Sequence, residues 1–286
     1  MMRPGSDHDA QTTAPAGVFT PPAPSEQPWG PFTFYMGSHQ PHWLATTEVP
    51  LFVSHRRLAA RRSFPRAATA WALDSGAFSE LVLFGGWRTT PEAYNSAVRR
   101  YDHAIGKLDW TAPMDWPCEP DMVHRTGLSV DAHQHKTVAN FVQLQQLWDH
   151  EESASPYMPV LQGWEPADYL HCWDLYGEAG VDLADYAVVG VGSVCRRQHT
   201  SQIGEVLGAL LERDPLLPIH AFGLKMHGLR VYGHLLCSAD STAWSYQARR
   251  NPPRPGCTHA HCSNCLDYAL DWRSRALRCR RRVLSS

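Results

Sequence analysis

Short apolar runs that end in a carboxylate or a carboxamide recur along this chain with helical stretches between them, and that alternation leaves few folds open. The sharpest run is Trp71-Ala72-Leu73-Asp74-Ser75-Gly76-Ala77-Phe78, which delivers one carboxylate into a turn that only small residues can make. Ala112-Pro113-Met114-Asp115, Pro159-Val160-Leu161-Gln162-Gly163 and Leu236-Cys237-Ser238-Ala239-Asp240 end in the same style. The strand candidates are Phe32 to Met36, Leu51 to Ser54, Trp71 to Asp74, Trp110 to Met114, Met158 to Gln162, Tyr186 to Gly190, Ile219 to Gly223 and Leu235 to Ala239. Between them, Pro91 to Ile105, Val130 to His150, Pro166 to Glu178 and Ser201 to Arg213 carry the apolar stripe of a helix. Eight such runs predict an α/β fold, a (β/α)8 TIM-type barrel with its catalytic face at the carboxyl ends of the strands. The competing layout, a doubly wound open sheet, calls for a Gly-rich phosphate loop after the first strand, and none follows it.

The flanks differ in kind from this middle. Residues 1–30 hold Pro4, Pro15, Pro21, Pro22, Pro24 and Pro28 among Ser, Thr, Ala and Gln, which predicts a disordered leader. Residues 31–250 form the expected barrel. From Asn251-Pro252-Pro253-Arg254-Pro255-Gly256 onward, a linker leads into a Cys/His-rich segment and a final helix from Leu266 to about Val283, so 251–286 is expected to be a metal-binding segment with a C-terminal helix. No run of about 18 apolar residues and no basic segment followed by an apolar core occurs, so neither a membrane span nor a secretory signal is expected, and the expected compartment is the cytoplasm.

Cysteine usage agrees. Of the eight cysteines, three crowd between Cys257 and Cys265, a spacing that belongs to a metal site rather than to a disulfide framework. Cys257, Cys262 and Cys265 with His259 and His261 offer more than enough soft ligands for one tetrahedral Zn2+, and a compact, cysteine-rich set reads as structural rather than catalytic. The fourth ligand is left between His259, favoured, His261 and Cys279. The last lies about 21 Å beyond Cys265 along a straight helix at ~1.5 Å per residue.

Formal net charge is only −2, yet the arginines cluster: Arg56, Arg57, Arg61, Arg62 and Arg66 in one group, Arg273, Arg275, Arg278, Arg280, Arg281 and Arg282 in another. Such patches suit a polyanion docked on one face. The 23 arginines against three lysines would equally follow from a G·C-rich genome.

Taken singly, Asp74 and Asp115 read as turn caps and Asp240 as an N-cap. Capping does not require that each should end an apolar strand in the same barrel orientation, so together they read as one pocket. Gln162 can offer a donor and an acceptor to a heterocycle edge, and Gly190-Val191-Gly192-Ser193 lets a ligand approach the backbone. Trp116 and Trp164, beside strand ends, are candidates to stack on a base.

The ordered set Asp74-Ser75-Gly76-Ala77-Phe78, Met114-Asp115 with Cys118, Leu161-Gln162-Gly163, Gly190-Val191-Gly192-Ser193, Ala239-Asp240 and the Cys-rich segment resembles the tRNA-guanine transglycosylase family over roughly residues 32 to 270. It is most similar to the short branch that inserts 7-deazaguanine bases into DNA. The resemblance implies a zinc-bearing barrel that exchanges guanine in a polynucleotide for a free 7-deazaguanine base without cutting the backbone. It implies Asp240 as nucleophile on the sugar C1′ and Asp74 as general acid/base. Ser75, Gly76, Phe78, Asp115, Cys118, Gln162, Gly163, Gly190, Gly192 and Lys225 would line the substrate site. Arg56, Arg57, Arg61, Arg62, Arg249 and Arg250 would contact nucleic acid. Where the family has Cys-x-Cys-x2-Cys and a distant His, this chain has Cys257-x-His259-x2-Cys262, with Cys265 replacing the distant ligand. The shortened part after the zinc segment favours DNA over tRNA, and partner proteins are compatible with either. Two readings from other classes compete: an inactive zinc-containing nucleic-acid-binding barrel, and a metal-dependent barrel hydrolase using His39, His55 and His220.

Overall fold

The computed structural model describes residues 29–148, 154–195, 197 and 201–284. The leader expected over residues 1–30 lies almost wholly outside them. Strands β1 (Thr33–Ser38), β2 (Leu51–Ser54), β3 (Trp71–Asp74), β4 (Leu108–Thr111), β5 (Val160–Leu161), β6 (Val189–Val191), β7 (Ile219–Ala221) and β8 (Ser238–Ser241) form one eight-stranded sheet in the order β4-β3-β2-β1-β8-β7-β6-β5. Every pair is parallel. The sheet curls until its ends touch: Thr111 bridges Tyr157, with the Thr111 N–H donating to Pro156 O at 2.8 Å and the Met158 N–H to Thr111 O at 3.1 Å.

Parallel neighbours need crossovers, and these are supplied by α1 (His55–Leu58), α2 (Ala77–Phe84), α3 (Pro91–Ile105), α4 (Pro120–Thr126), α5 (Val130–Trp148), α6 (Pro166–Glu178), α7 (Gln202–Arg213) and α8 (Met226–Tyr232), followed by α9 (Ala243–Ala248) and α10 (Leu266–Leu284). Local signals place the long ones. Thr90 caps α3 by accepting the Ala93 N–H, Pro91 occupies its first turn, and Gly106 follows its end. Asp168 opens α6 by accepting the Glu165 N–H at 2.8 Å, and Pro166 occupies the first turn. In α7, Ile203, Val206, Leu207, Leu210 and Leu211 are buried on one face. The last two residues of the helix expected over Val130 to His150 lie outside the described residues.

Three strands sit elsewhere than expected. The run Trp110 to Met114 leaves the sheet after Thr111, because Pro113 has no N–H for a ladder and the Asp115 N–H turns back to Pro113 O at 2.9 Å. The run Tyr186 to Gly190 enters the sheet only at Val189, after a 3-10 turn over Leu183–Asp185. Likewise Gly233–Leu235 makes a 3-10 turn, so β8 begins at Ser238 and Asp240 lies inside the strand rather than past its end.

Alternation along each strand sorts the residues into two faces. Phe34, Met36, Leu51, Val53, Trp71, Leu73, Val189, Val191, Ile219 and Ala239 join the core under the helices, and Ala269, Trp272 and Ala276 of α10 belong to it too. Tyr35, Phe52, Ala72, Trp110, Met158 and Val160 form a second cluster inside the curl. His220 packs into it, its ring 4.7 Å from Trp110 and 4.8 Å from Phe222. Two residues further along the same strands come Ser54, Asp74, Ala112, Gln162, Gly192, Phe222 and Asp240. A mostly polar rim therefore stands on an aromatic plug.

Candidate active site

That rim lines a cavity of about 550 Å³, reached by Ser38, His39, Phe52, Ser54, Asp74, Phe78, Asp115, Glu119, Gln162, Gly192, Ser193, Phe222, Gly223 and Asp240. On one wall a chain of hydrogen bonds fixes every polar group. Asp115 is buried and accepts from Ser75 Oγ at 3.3 Å and from Gln162 Nε2 at 2.6 Å. Gln162 Oε1 in turn accepts from Ser193 Oγ at 2.8 Å, which decides which end of the carboxamide is which. Ser193 Oγ also accepts the Cys118 N–H at 2.9 Å and stands 3.0 Å from Glu119 Oε2, so its single hydrogen serves one of two oxygens at a time. Ser193 adopts the left-handed φ of 57°, uncommon for a residue with a side chain. Gly192 is required for a different reason: a Cβ there would lie 2.3 Å from Gln162 Nε2. Burial raises the Asp115 carboxyl to about 7, with the charge of Asp74 adding to the rise and the Gln162 and Ser75 hydrogen bonds opposing it.

The same cavity is lined by Asp74 and Asp240. Asp74 Oδ1 accepts the Gly76 N–H at 3.0 Å, within a turn that Gly76 makes at φ 84°. Burial raises its carboxyl, the backbone N–H of Gly76 and the Ser54 side chain oppose that, and the Asp240 charge adds to it. Asp240, 4% exposed, accepts the Gly223 N–H at Oδ1 over 2.8 Å, and His220 Nε2 lies 3.4 Å from the same oxygen. Gly223 holds φ 65°, where a Cβ would meet Cys195 Cβ at 2.7 Å. Two carboxylates thus feel each other across one cavity, one of them shifted toward its protonated form.

The mouth carries charge and apolar surface. Arg56 and Arg57 line it, Arg56 pairing with Glu80 at 3.0 Å. Burial, then Arg57 and Arg249, lower the His39 imidazole, so Arg249 acts at the same rim. Phe78 is 37% exposed there.

Other expected site residues serve elsewhere. Gly163 and Gly190 permit packing: a Cβ would meet Asp168 Cβ at 2.8 Å in the first case and the Phe222 ring at 2.7 Å in the second. Cys118 lies buried with its thiol near the carbonyls of Trp116 and Val130, and burial pushes that thiol far up. Exposed Lys225 precedes α8 away from the cavity lining, and Arg61, Arg62 and Arg250 are exposed beyond it, Arg250 lying 3.4 Å over the Tyr246 ring. Trp116 packs on His133 at 5.3 Å and Trp164 lies under Arg197 at 4.0 Å, neither lining the cavity. In α10, Arg273 donates to Phe34 O at 3.2 Å and Arg280 to Gly233 O at 2.8 Å, so the first holds the helix to β1 and the second to the turn after α8. The side chains of Arg281 and Arg282 lie outside the described residues. Sequence reasoning missed Glu119, adjacent to Cys118, and Gly223, whose signal was a glycine closing a strand run.

Remote from the cavity, Cys257, His259, Cys262 and Cys265 bring their ligand atoms within 4.8 Å of one another. A tetrahedral metal with Zn–S of ~2.3 Å spaces its ligands by roughly 3.8 Å, so the group fits one ion. His261, which is exposed, and Cys279, half-buried on α10, stand outside it. Burial works to raise the Cys262 thiol, but the Arg254 N–H at 3.2 Å, His259 Nε2 at 3.1 Å and Cys257 outweigh it and hold it low, toward the thiolate a metal needs. His39, His55 and His220 make no such group among the described residues: His39 is at the cavity mouth, His55 bonds Tyr101 and His220 is in the plug.

A curled, TIM-like parallel sheet brings carboxylates, a carboxamide and glycines together at its carboxyl end, with the cavity where α/β folds of this kind place their ligand sites. The chain matches the family DpdA, DeoxyPurine in DNA protein A, over residues 32–285, and belongs to it. This bears out the resemblance to the 7-deazaguanine DNA transglycosylase branch. No curated protein matches the chain. Among solved structures, a “putative fructose-1,6-biphosphate aldolase” from Coccidioides immitis is similar over 89% of this chain and 90% of that one, at 8% identity and a TM-score of 0.47.

Proposed function

We propose that the chain exchanges guanine in DNA for a free 7-deazaguanine base through a covalent aspartyl-glycosyl intermediate, on a sheet that is a complete (β/α)8 barrel closed at the Thr111–Tyr157 bridge. The observation that carries this is the pair Asp74 and Asp240 facing one cavity, with Asp74 raised by burial and by Asp240's charge. An Asp240 oxygen attacks C1′ as the C1′–N9 bond breaks, and the bond's electron pair leaves with the guanine. Asp74, kept toward its protonated form, gives the departing base its proton. When the 7-deazaguanine enters, the Asp74 carboxylate takes the proton from its ring N–H. That nitrogen then attacks C1′ and releases Asp240. Asp115 accepts from the base's N–H edge, Gln162 holds Asp115 in place, and Gly192 lets the ring lie against the backbone.

Cys257, His259, Cys262 and Cys265 would hold a structural zinc, which ties the 257–265 loop to the start of α10 and supplies nothing to the cavity. Arg56, Arg57 and Arg249 suit the phosphates of a strand whose guanine has left its stack, which costs roughly a few kcal/mol and favours single-stranded or mismatched DNA. The setting is bacterial or phage-infected cytoplasm. The test incubates the purified protein with single-stranded DNA, duplex DNA or tRNA and a 7-deazaguanine, followed by mass spectrometry of the nucleosides. Deazaguanine in DNA and a denaturant-stable protein–DNA adduct are expected with the wild type and absent with Asp240→Asn. Exchange by Asp240→Asn would remove the nucleophile role, exclusive exchange into tRNA would move the substrate, and no adduct or exchange at all would leave an inactive binding barrel.

A further inference from the structure

His220 is not used by the chemistry above, yet its surroundings do not suit a residue present only to fill space. It is 0% exposed, ringed by Trp110, Phe222, Tyr35 and Phe52, where an apolar ring would pack without desolvating two nitrogens. Its polar contacts lie along one line. On β7 it pairs in register with Ser238 of β8, and its Nδ1 is 2.9 Å from Ser238 Oγ. Its Nε2 makes no hydrogen bond and faces Asp240 Oδ1 at 3.4 Å. Ser238 and Asp240 are two residues apart on one strand, so both point into the curl on the same side as His220. With Ser238 Oγ donating to Nδ1, the ring carries its hydrogen on Nε2, the nitrogen nearer the carboxylate. The opposite tautomer would turn a nitrogen lone pair toward Oδ1.

We infer that His220 is a positioning residue for Asp240: Ser238 sets its tautomer, and its Nε2–H, together with the Gly223 N–H, anchors Oδ1 and leaves Oδ2 as the oxygen that attacks C1′. A closure of a few tenths of an ångström brings Nε2 within hydrogen-bonding distance. This inference rests on the reading of Asp240 as nucleophile, and its consequence is specific. Losing the anchor slows formation of the covalent intermediate without weakening binding of the base, because the hydrogen bonds of Asp115 and Gln162 run to Ser75, to Ser193 and to each other.

The test compares His220→Phe, which keeps an aromatic ring and removes the donor, with His220→Gln, which returns an N–H near the position of Nε2. Incorporation of radiolabelled guanine into guanine-containing single-stranded DNA is measured, with the trapped adduct. Misplacing a reacting group by about 1 Å costs up to ~100-fold, so His220→Phe should lower kcat by about 10- to 100-fold with KM for guanine within about twofold, and His220→Gln should recover most of it. Equal losses in the two variants, or none in either, would overturn the inference. A second measurement needs no turnover: long-range nitrogen–proton spectra of the imidazoles, with His220 assigned by its loss in His220→Phe. A protonated Nε2 whose signal moves in Asp240→Asn is expected, and a proton on Nδ1 would refute the contact even if the folded variants exchange no base. If the wild type exchanges nothing, the proposed function fails, while the spectra still decide whether His220 holds Asp240.

Discussion

Asp115 makes the folded state sensitive to pH in a direction that can be worked out. Its carboxyl rises from 3.8 to about 7 on folding, chiefly through burial at 8% exposure. A carboxyl raised on folding binds its proton more tightly in the native state, so this group costs stability as pH climbs through the window between those two values. Below about 4 both states are protonated and the cost is absent, while above about 7 it is fully present. At ~1.4 kcal/mol per tenfold change in acid strength, the rise amounts to about 4 kcal/mol. Asp115→Asn removes the charge, and its carboxamide can still accept from Gln162 Nε2 and donate to Ser75 Oγ. Wild type should therefore lose about 4 kcal/mol more than the variant between pH 4 and pH 8. Urea unfolding of both proteins at the two pH values reads this. At a slope of about 3 kcal/mol per molar urea, the wild-type midpoint should fall by about 1.3 M more than the variant's. The other titrating groups are common to the two proteins and cancel, save Asp74, whose charge is coupled to that of Asp115 and is counted within the rise. Midpoints that shift together to within about 0.3 M would refute the argument, since they would mean that Asp115 ionises in the fold as it does in water.

Gly192→Ala should leave the fold intact but push Gln162 off Asp115. Losing a buried hydrogen bond to a charged group, worth about 1.5–3 kcal/mol, should lower kcat/KM for base exchange by about 10- to 100-fold, and unchanged exchange would remove Gln162 from the site. Cys262→Ala and Cys265→Ala should each lose a tightly held zinc by metal analysis, and acid or chelator should strip it from the wild type and loosen residues 251–286. Full metal occupancy in both variants would sink the assignment. Arg57→Ala with Arg249→Ala should reduce the slope of log affinity against log salt on single-stranded DNA by about 0.7 for each phosphate no longer neutralised, whereas Arg273→Ala, turned toward Phe34 O, should change stability and leave the slope alone. Identical slopes in all three proteins would return these arginines to composition.

The run Trp71 to Asp74, the capped helix from Pro91 and the Cys257 to Cys265 cluster are legible in the sequence because each depends on neighbours within a few residues: strand alternation, a proline in a first turn, ligand spacing. The same short-range logic picked out Asp74, Asp115, Gln162 and Asp240 as a set, and family membership followed from their order. It could not say that Pro113 would take the fourth strand out of the sheet before Asp115, nor that the eighth would begin late enough to hold Asp240 inside it. It could not divide the arginines between a cavity mouth and a helix seam. Nor could it join Ser75 to Asp115, Asp115 to Gln162 and Gln162 to Ser193, residues 40, 47 and 31 apart, or set Gly223 and His220 against Asp240. Those contacts are made by the register of parallel strands brought together by long crossovers. Register is settled only when the inner faces pack, so the raised carboxyl of Asp115 and the neighbours of Asp240 are properties of the curled sheet and of no segment within it.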